Sequence, residues 1–145
     1  MHGIDSPVMW NEVYRLSQAQ GVAAIAWDGL QRLTSEGLIA QGCNIERPVK
    51  LQWALAAENT ERRYAKQVKT IAQLAKIYDT DGIRMMILKG YGLSKCYPCP
   101  EHRSCSDIDI WLFGEQRRGD NYLRKRENIA IDEDKHHHTT FTLNG

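Results

Sequence analysis

Ile87-Leu88-Lys89-Gly90 and Ser106-Asp107-Ile108-Asp109-Ile110 are the two stretches on which the reading of this chain turns. In the second, acids alternate with isoleucines. Successive side chains of a β-strand point to opposite faces, so Asp107 and Asp109 share one face while Ile108 and Ile110 share the other. The apolar face anchors in a core. The acidic face then holds two like charges one pleat apart, an arrangement that is unfavourable unless a cation sits between them. Paired hard oxygens suit Mg²⁺, which is commonly held by one or two carboxylates together with substrate phosphates. In the first stretch the apolar run from Ile83 to Leu88 ends in Lys89-Gly90-Tyr91-Gly92, where glycine lets backbone amides approach an anion. A glycine-marked turn, a lysine and a carboxylate pair point together to metal-assisted phosphate chemistry.

Around these stretches the chain divides by periodicity. Upstream of about residue 80 the pattern is helical. Ser6 reads as an N-cap with Pro7 at the first helical position, opening a helix to about Gln20 that buries Val8, Val13 and Leu16. Gly21 interrupts it. A second helix spans Val22 to Ser35, apolar to Trp27 and then amphipathic through Leu30 and Leu33. Gly37 to Arg47 reads as a loop. Pro48 opens a long helix to about Tyr78, with Val49, Trp53, Ala56, Ala57, Tyr64, Val68, Ile71, Leu74 and Ala75 at steps of three and four. Glu58, Glu61, Arg62, Arg63 and Lys66 read as its solvated face.

Downstream of the Asp81-Gly82 turn the period changes. Ile83 to Leu88 reads as a short buried strand, Gly90 to Tyr97 as two helical turns, and Cys99 to Cys105 as a loop stiffened by Pro98 and Pro100. Asp107 to Phe113 is the second strand, Asp120 to Glu127 a short polar helix, Asp132 to Lys135 a charged turn, and Thr139 to Leu143 a half-buried strand. The fold class expected is α+β: a helical half, residues 1–80, packed on a small mixed β-sheet, residues 81–145, as one compact unit.

Composition narrows the function. At 145 residues the chain is long enough for a real core. Its 19 Lys and Arg against 18 Asp and Glu leave a formal net charge of +1. That balance gives no support to broad nucleic-acid binding, which needs a basic face. No apolar run reaches membrane-span length. Residues Met1 to Trp10 lack the basic-then-apolar plan of a signal peptide, so the 4 cysteines read as thiols and the protein as soluble and cytoplasmic.

Ile87-Leu88-Lys89-Gly90, a short helix ending near Tyr97-Pro98, then Arg103 and Ser106-Asp107-Ile108-Asp109, resembles the uncharacterised nucleotidyltransferases of the polymerase-beta-like superfamily. The resemblance covers about Ile83 to Gly145 and is most specific over Ile87 to Leu112. It implies nucleotidyl transfer from a nucleoside triphosphate to an unknown acceptor, with two Mg²⁺ ions at Asp107 and Asp109. Lys89, backbone amides near Gly90, Arg103 and Ser106 would hold the phosphates. Members of the superfamily carry a Gly-Ser or Gly-Gly turn and a third carboxylate on a later strand. Here the turn reads Lys89-Gly90, and the chain stops at Gly145 before the third acid is reached. The expectation is therefore the front portion of a longer enzyme, incomplete at its C-terminus and weak or silent in turnover.

Each candidate also has a plainer reading. Asp107 and Asp109 fit an exposed strand face, although Asp is depleted in strands. Lys89 fits a surface lysine, Arg103 a partner for Glu101, and Ser106 a strand start. Cys96, Cys99, His102 and Cys105 form a C-x2-C-x2-H-x2-C run of legitimate zinc ligand types. Its successive short gaps are too compact for paired knuckles, and buried or half-buried thiols are the competing account. His136-His137-His138 alternate faces on a strand and so do not converge on one ion. Trp10, Trp27, Trp53 and Tyr64 read as core. A catalytically incomplete binding or interaction module and a small zinc protein stand as the rival functional classes.

Overall fold

Trp53 organises the first half of the chain. The computed structural model describes residues 9–39, 44–126, 129–132 and 139–142. The chain forms two compact units: residues up to Ala65 together with Ser94–Cys105, and Lys66–Leu93 together with residues from Ser106 onward. In the first unit lie α1 (Trp10–Ala19), α2 (Ala23–Ser35) and the opening turns of α3 (Arg47–Thr80). Trp53, 1% exposed, donates its indole N–H to the Ala23 carbonyl at 2.7 Å. Its ring tilts against Tyr14 at 5.5 Å and Trp27 at 6.4 Å. Leu30 and Val49 complete this core, with Trp10 and Trp27 packed on it half-buried.

The chain reverses between α1 and α2 because Gly21 adopts φ +69°. Val22 N–H then bonds the Ser17 carbonyl at 2.9 Å and Gly21 N–H the Gln18 carbonyl at 3.0 Å. These paired bonds satisfy carbonyls that a helix end leaves open. The same pair closes α3 at Gly82, where Ile83 N–H reaches Tyr78 O and Gly82 N–H reaches Asp79 O, both at 2.9 Å. The turn expected at Asp81-Gly82 is thus the cap of the long helix.

The buried face of α1 differs from the one expected. Leu16 is 63% exposed and Val13 is also exposed, while Tyr14 and Ser17 are buried. Tyr14 offers a larger ring to Trp53 and a hydroxyl that donates to the Gln52 carbonyl at 3.3 Å, so its face wins over the aliphatic one. Val68 and Ala75 of α3 and Leu33 of α2 are exposed as well. Ser6, Pro7 and Val8 lie outside the described residues.

The second unit contains the rest of α3, β1 (Met86–Leu88), β2 (Asp109–Trp111), α5 (Gln116–Arg126), β3 (Ile131–Asp132) and β4 (Thr140–Phe141); α4 (Lys89–Ser94) leads out of it. The α+β class holds. Among the described residues, however, the strands form two separate antiparallel ribbons, β1 with β2 and β3 with β4, rather than one mixed sheet. The register of the first is Met86↔Trp111, Ile87↔Ile110 and Leu88↔Asp109. Turns close it at both ends. Beyond Leu88 the chain enters α4, so the ladder stops before it reaches Asp107. At the other end Phe113 (φ +53°) and Gly114 (φ +89°) turn the chain toward α5. The strands expected over Ile83 to Leu88 and Asp107 to Phe113 are therefore both trimmed to three residues.

Leu74, Tyr78, Ile83, Leu112 and Leu123 form the core of this unit, with Ile110, Ile131 and Phe141 packed on it. Helix α5 approaches closely through Gly119: a Cβ there would lie 2.5 Å from Leu112 Cδ1 and 3.1 Å from Tyr78 Cε1. Thr139 donates its hydroxyl to Asp120 Oδ1 at 3.1 Å. The expected charged turn after Asp132, His136-His137-His138 and Leu143 lie outside the described residues. Among those described, no helix is long and apolar enough to cross a membrane.

Candidate functional site

The end of β1 and the start of β2 bring two of the sequence candidates together. The register sets Leu88 opposite Asp109, so Lys89 emerges beside that carboxylate, with Nζ 3.9 Å from Asp109 Oδ2. Both side chains face solvent, and such a pair is worth at most about 1 kcal/mol. It stabilises little and is easily rearranged by an incoming ion. Lys89 has φ +42°, a left-handed conformation that a side chain rarely adopts. The strand passes into α4 at this residue without an intervening loop. Close behind it, Gly92 packs on β1, where a Cβ would meet the Ile87 carbonyl oxygen at 3.3 Å.

Gly90 lies within α4, and Asp107 and Ser106 lie exposed just before β2. Asp109 is the half-buried member of the carboxylate pair. Arg103 belongs to the other compact unit, where its guanidinium lies 5.9 Å from the Tyr97 ring centroid.

A second cluster, which the sequence reading did not assemble, surrounds His102. Its Nδ1 lies 2.8 Å from both carboxylate oxygens of Asp28 and its Nε2 lies 2.8 Å from Glu61 Oε1. The imidazole is 11% exposed, less than either acid. Burial opposes its charge, but the hydrogen bonds and charges of Glu61 and Asp28 outweigh that, and its pKa stands above the ordinary value. Cys99 joins the group: ligand atoms of Asp28, Cys99 and His102 all lie within 4.8 Å of one another. Burial first, then the charges of Asp28 and Glu101, push the Cys99 thiol up. The local cause is the turn Pro100–His102, closed by His102 N–H to Cys99 O at 3.0 Å. In such a tight turn side chains three apart are eclipsed. The Cys-x-x-His spacing was visible in the sequence. Glu61 sat on a helix face that read as solvated, Asp28 carried no assignment, and no local signal ties either to residue 102. Cys96, by contrast, is exposed.

Comparison with known families gives one finding. Residues 6–144 match the model of a family described as uncharacterised nucleotidyltransferase. The match takes in the helical half, which the sequence resemblance had left out. No curated protein and no solved structure matches the chain.

Proposed function

Because the chain belongs to the uncharacterised nucleotidyltransferase family, whose general activity is nucleotidyl transfer, we propose that Asp107 and Asp109 hold divalent metal for transfer from a nucleoside triphosphate to an acceptor. The observation that carries this reading is the Lys89–Asp109 pair at 3.9 Å at the end of a strand ribbon. The donor set fits Mg²⁺: solvent-facing carboxylate oxygens, hard donors of the kind that ion prefers. When bound, a pair of such ions supplies neutralisation of phosphate charge and easier ionisation of an acceptor hydroxyl.

The remaining roles fall to the chain itself. Lys89 pairs with Asp109 by charge and turns to the β- and γ-phosphates of a bound nucleotide as a point charge. Gly90, within α4, places no side chain between a phosphate and the backbone. Ser106 supplies a further phosphate contact. Ile110, packed on the core through the same strand, keeps Asp109 in place.

Nucleotide binding tests this directly. A triphosphate titrated with Mg²⁺ should bind the native chain and fail to bind the double variant Asp107→Asn, Asp109→Asn, while both melt at nearly the same temperature without metal. Equal Mg²⁺-dependent affinity in the two proteins rejects the carboxylates as ligands. A variant that is much less stable without metal assigns them a structural part instead. Lys89→Ala should weaken triphosphate binding, with a defect that shrinks as salt rises.

A further inference from the structure

We propose that Asp28, Cys99 and His102 form a binding site for a Zn²⁺-class transition metal, separate from the carboxylate pair, with Glu61 positioning the imidazole. The donors are one carboxylate oxygen, one thiolate sulfur and one imidazole nitrogen, drawn from α2 and from the two ends of the Cys99–His102 turn. Mixed nitrogen, sulfur and oxygen donors select zinc over magnesium or calcium.

The arrangement around His102 is what an ion requires. A ligating histidine presents one ring nitrogen to the metal and donates the other N–H to a carboxylate, which fixes its tautomer and orientation. Here Nδ1 faces Asp28, and Nε2 sits 2.8 Å from Glu61 Oε1. Tetrahedral zinc with its usual bond lengths spaces its ligand atoms by about 3.4–3.6 Å. The three donor atoms, within 4.8 Å of one another, need only a small contraction, while Nδ1 and the Asp28 oxygens, now at 2.8 Å, move slightly apart. Loading forms the Sγ–metal, Nδ1–metal and Oδ–metal bonds. The thiol proton and the Nδ1 proton leave to water, and the Nε2–H stays hydrogen-bonded to Glu61. Three protein ligands leave a fourth position for water.

The alternative account is an imidazolium bracketed by two acids, with the Cys99 thiol hydrogen-bonded to the Asp28 carboxylate. It requires no ion and predicts a thiol that stays protonated when metal is added.

Metal titration of the full chain decides between them. The protein is stripped with chelator and titrated with Co²⁺ alone. One equivalent should produce the thiolate-to-cobalt charge-transfer band of a tetrahedral site, and Zn²⁺ should abolish it while excess Mg²⁺ does not. Cys99→Ser and His102→Ala should lose the band. Cys96→Ser, Cys105→Ser and the double variant Asp107→Asn, Asp109→Asn should keep it, so this result stands or falls apart from the nucleotide site. Glu61→Gln should bind the metal about 10–100-fold more weakly. Unsubstituted protein gives a second readout that needs no variant to fold: Zn²⁺ should protect Cys99, and not Cys96, from alkylation. No thiolate band in the native chain, displacement by Mg²⁺, or protection of Cys96 in place of Cys99 overturns the assignment.

Discussion

Replacing Tyr78 with phenylalanine should make this protein more stable. Tyr78 is 1% exposed in the core of Leu74, Ile83, Leu112 and Leu123, and its hydroxyl finds no hydrogen-bond partner among the described residues. A buried polar atom left unpaired costs about 1–3 kcal/mol, whereas the ring itself packs as phenylalanine would. Taking the lower end, Tyr78→Phe should gain about 1 kcal/mol, which raises Tm by roughly 2–4 °C in a chain of this size. The pH dependence is a second, independent arm. Burial, helped by the charge of Asp120, pushes the Tyr78 phenol up to about 12. An unfolded tyrosine titrates near about 10. The folded state therefore favours the protonated phenol. That contribution is whole below about pH 10 and is lost as pH climbs through the folded value of about 12. The separation corresponds to on the order of 2–3 kcal/mol, which Tyr78→Phe does not lose. Urea denaturation of both proteins near pH 8 and near pH 11 reads the gap, which should widen toward alkali. A variant less stable than wild type at pH 8, or a gap that closes as pH rises, would refute the reasoning by showing that the hydroxyl has a partner.

Three further substitutions probe the frame. Trp53→Ala removes the indole at the centre of the first core and should cost about 3–5 kcal/mol by chemical denaturation. Gly119→Ala gains helix propensity but drives its methyl into Leu112 and the Tyr78 ring, for a net loss of about 1–2 kcal/mol; a melt at or above the wild-type temperature would show that Leu112 yields. Lys89→Gly relieves the left-handed backbone and should raise stability by up to about 1 kcal/mol while weakening triphosphate binding, so that a melt and a titration move in opposite directions.

The helices were legible because their signals are local. The spacing from Val49 through Trp53 to Ala57 and from Leu74 to Tyr78 marks a face whatever it meets, and Gly21 and Gly82 announce the ends. The face of α1 was not legible, because a tyrosine that is apolar along its ring and polar at its tip counts poorly against two aliphatics until Trp53 is known to lie opposite. Strand lengths were overread for a related reason. Ile83 and Leu112 are as apolar as strand residues, but the turns at Lys89 and Phe113 limit the ladder, and left-handed conformation at a lysine or a phenylalanine leaves no mark in composition. At the candidate site, Lys89 and Asp109 could be singled out because each sits at the border of an apolar run. The partners of His102 could not. Asp28 and Glu61 are separated from it by 74 and 41 residues, and a charged residue on a helix looks the same whether it meets water or an imidazole.

The order in which the chain visits its two units has a consequence for folding. Leu88 and Asp109 pair as neighbours, yet between them the chain departs so that Ser94–Cys105 becomes part of the helical unit. A flexible excursion of that length burdens β1–β2 pairing with loop-closure entropy, and the burden grows with the length of chain left free. Once the His102 turn is fixed against Asp28 and Glu61, most of the excursion is no longer free, and the strands are tethered by two short leads. Ordering the helical unit thus raises the effective concentration of one strand for the other. Anything that tightens the His102 turn should speed the closing of the ribbon that carries Asp109.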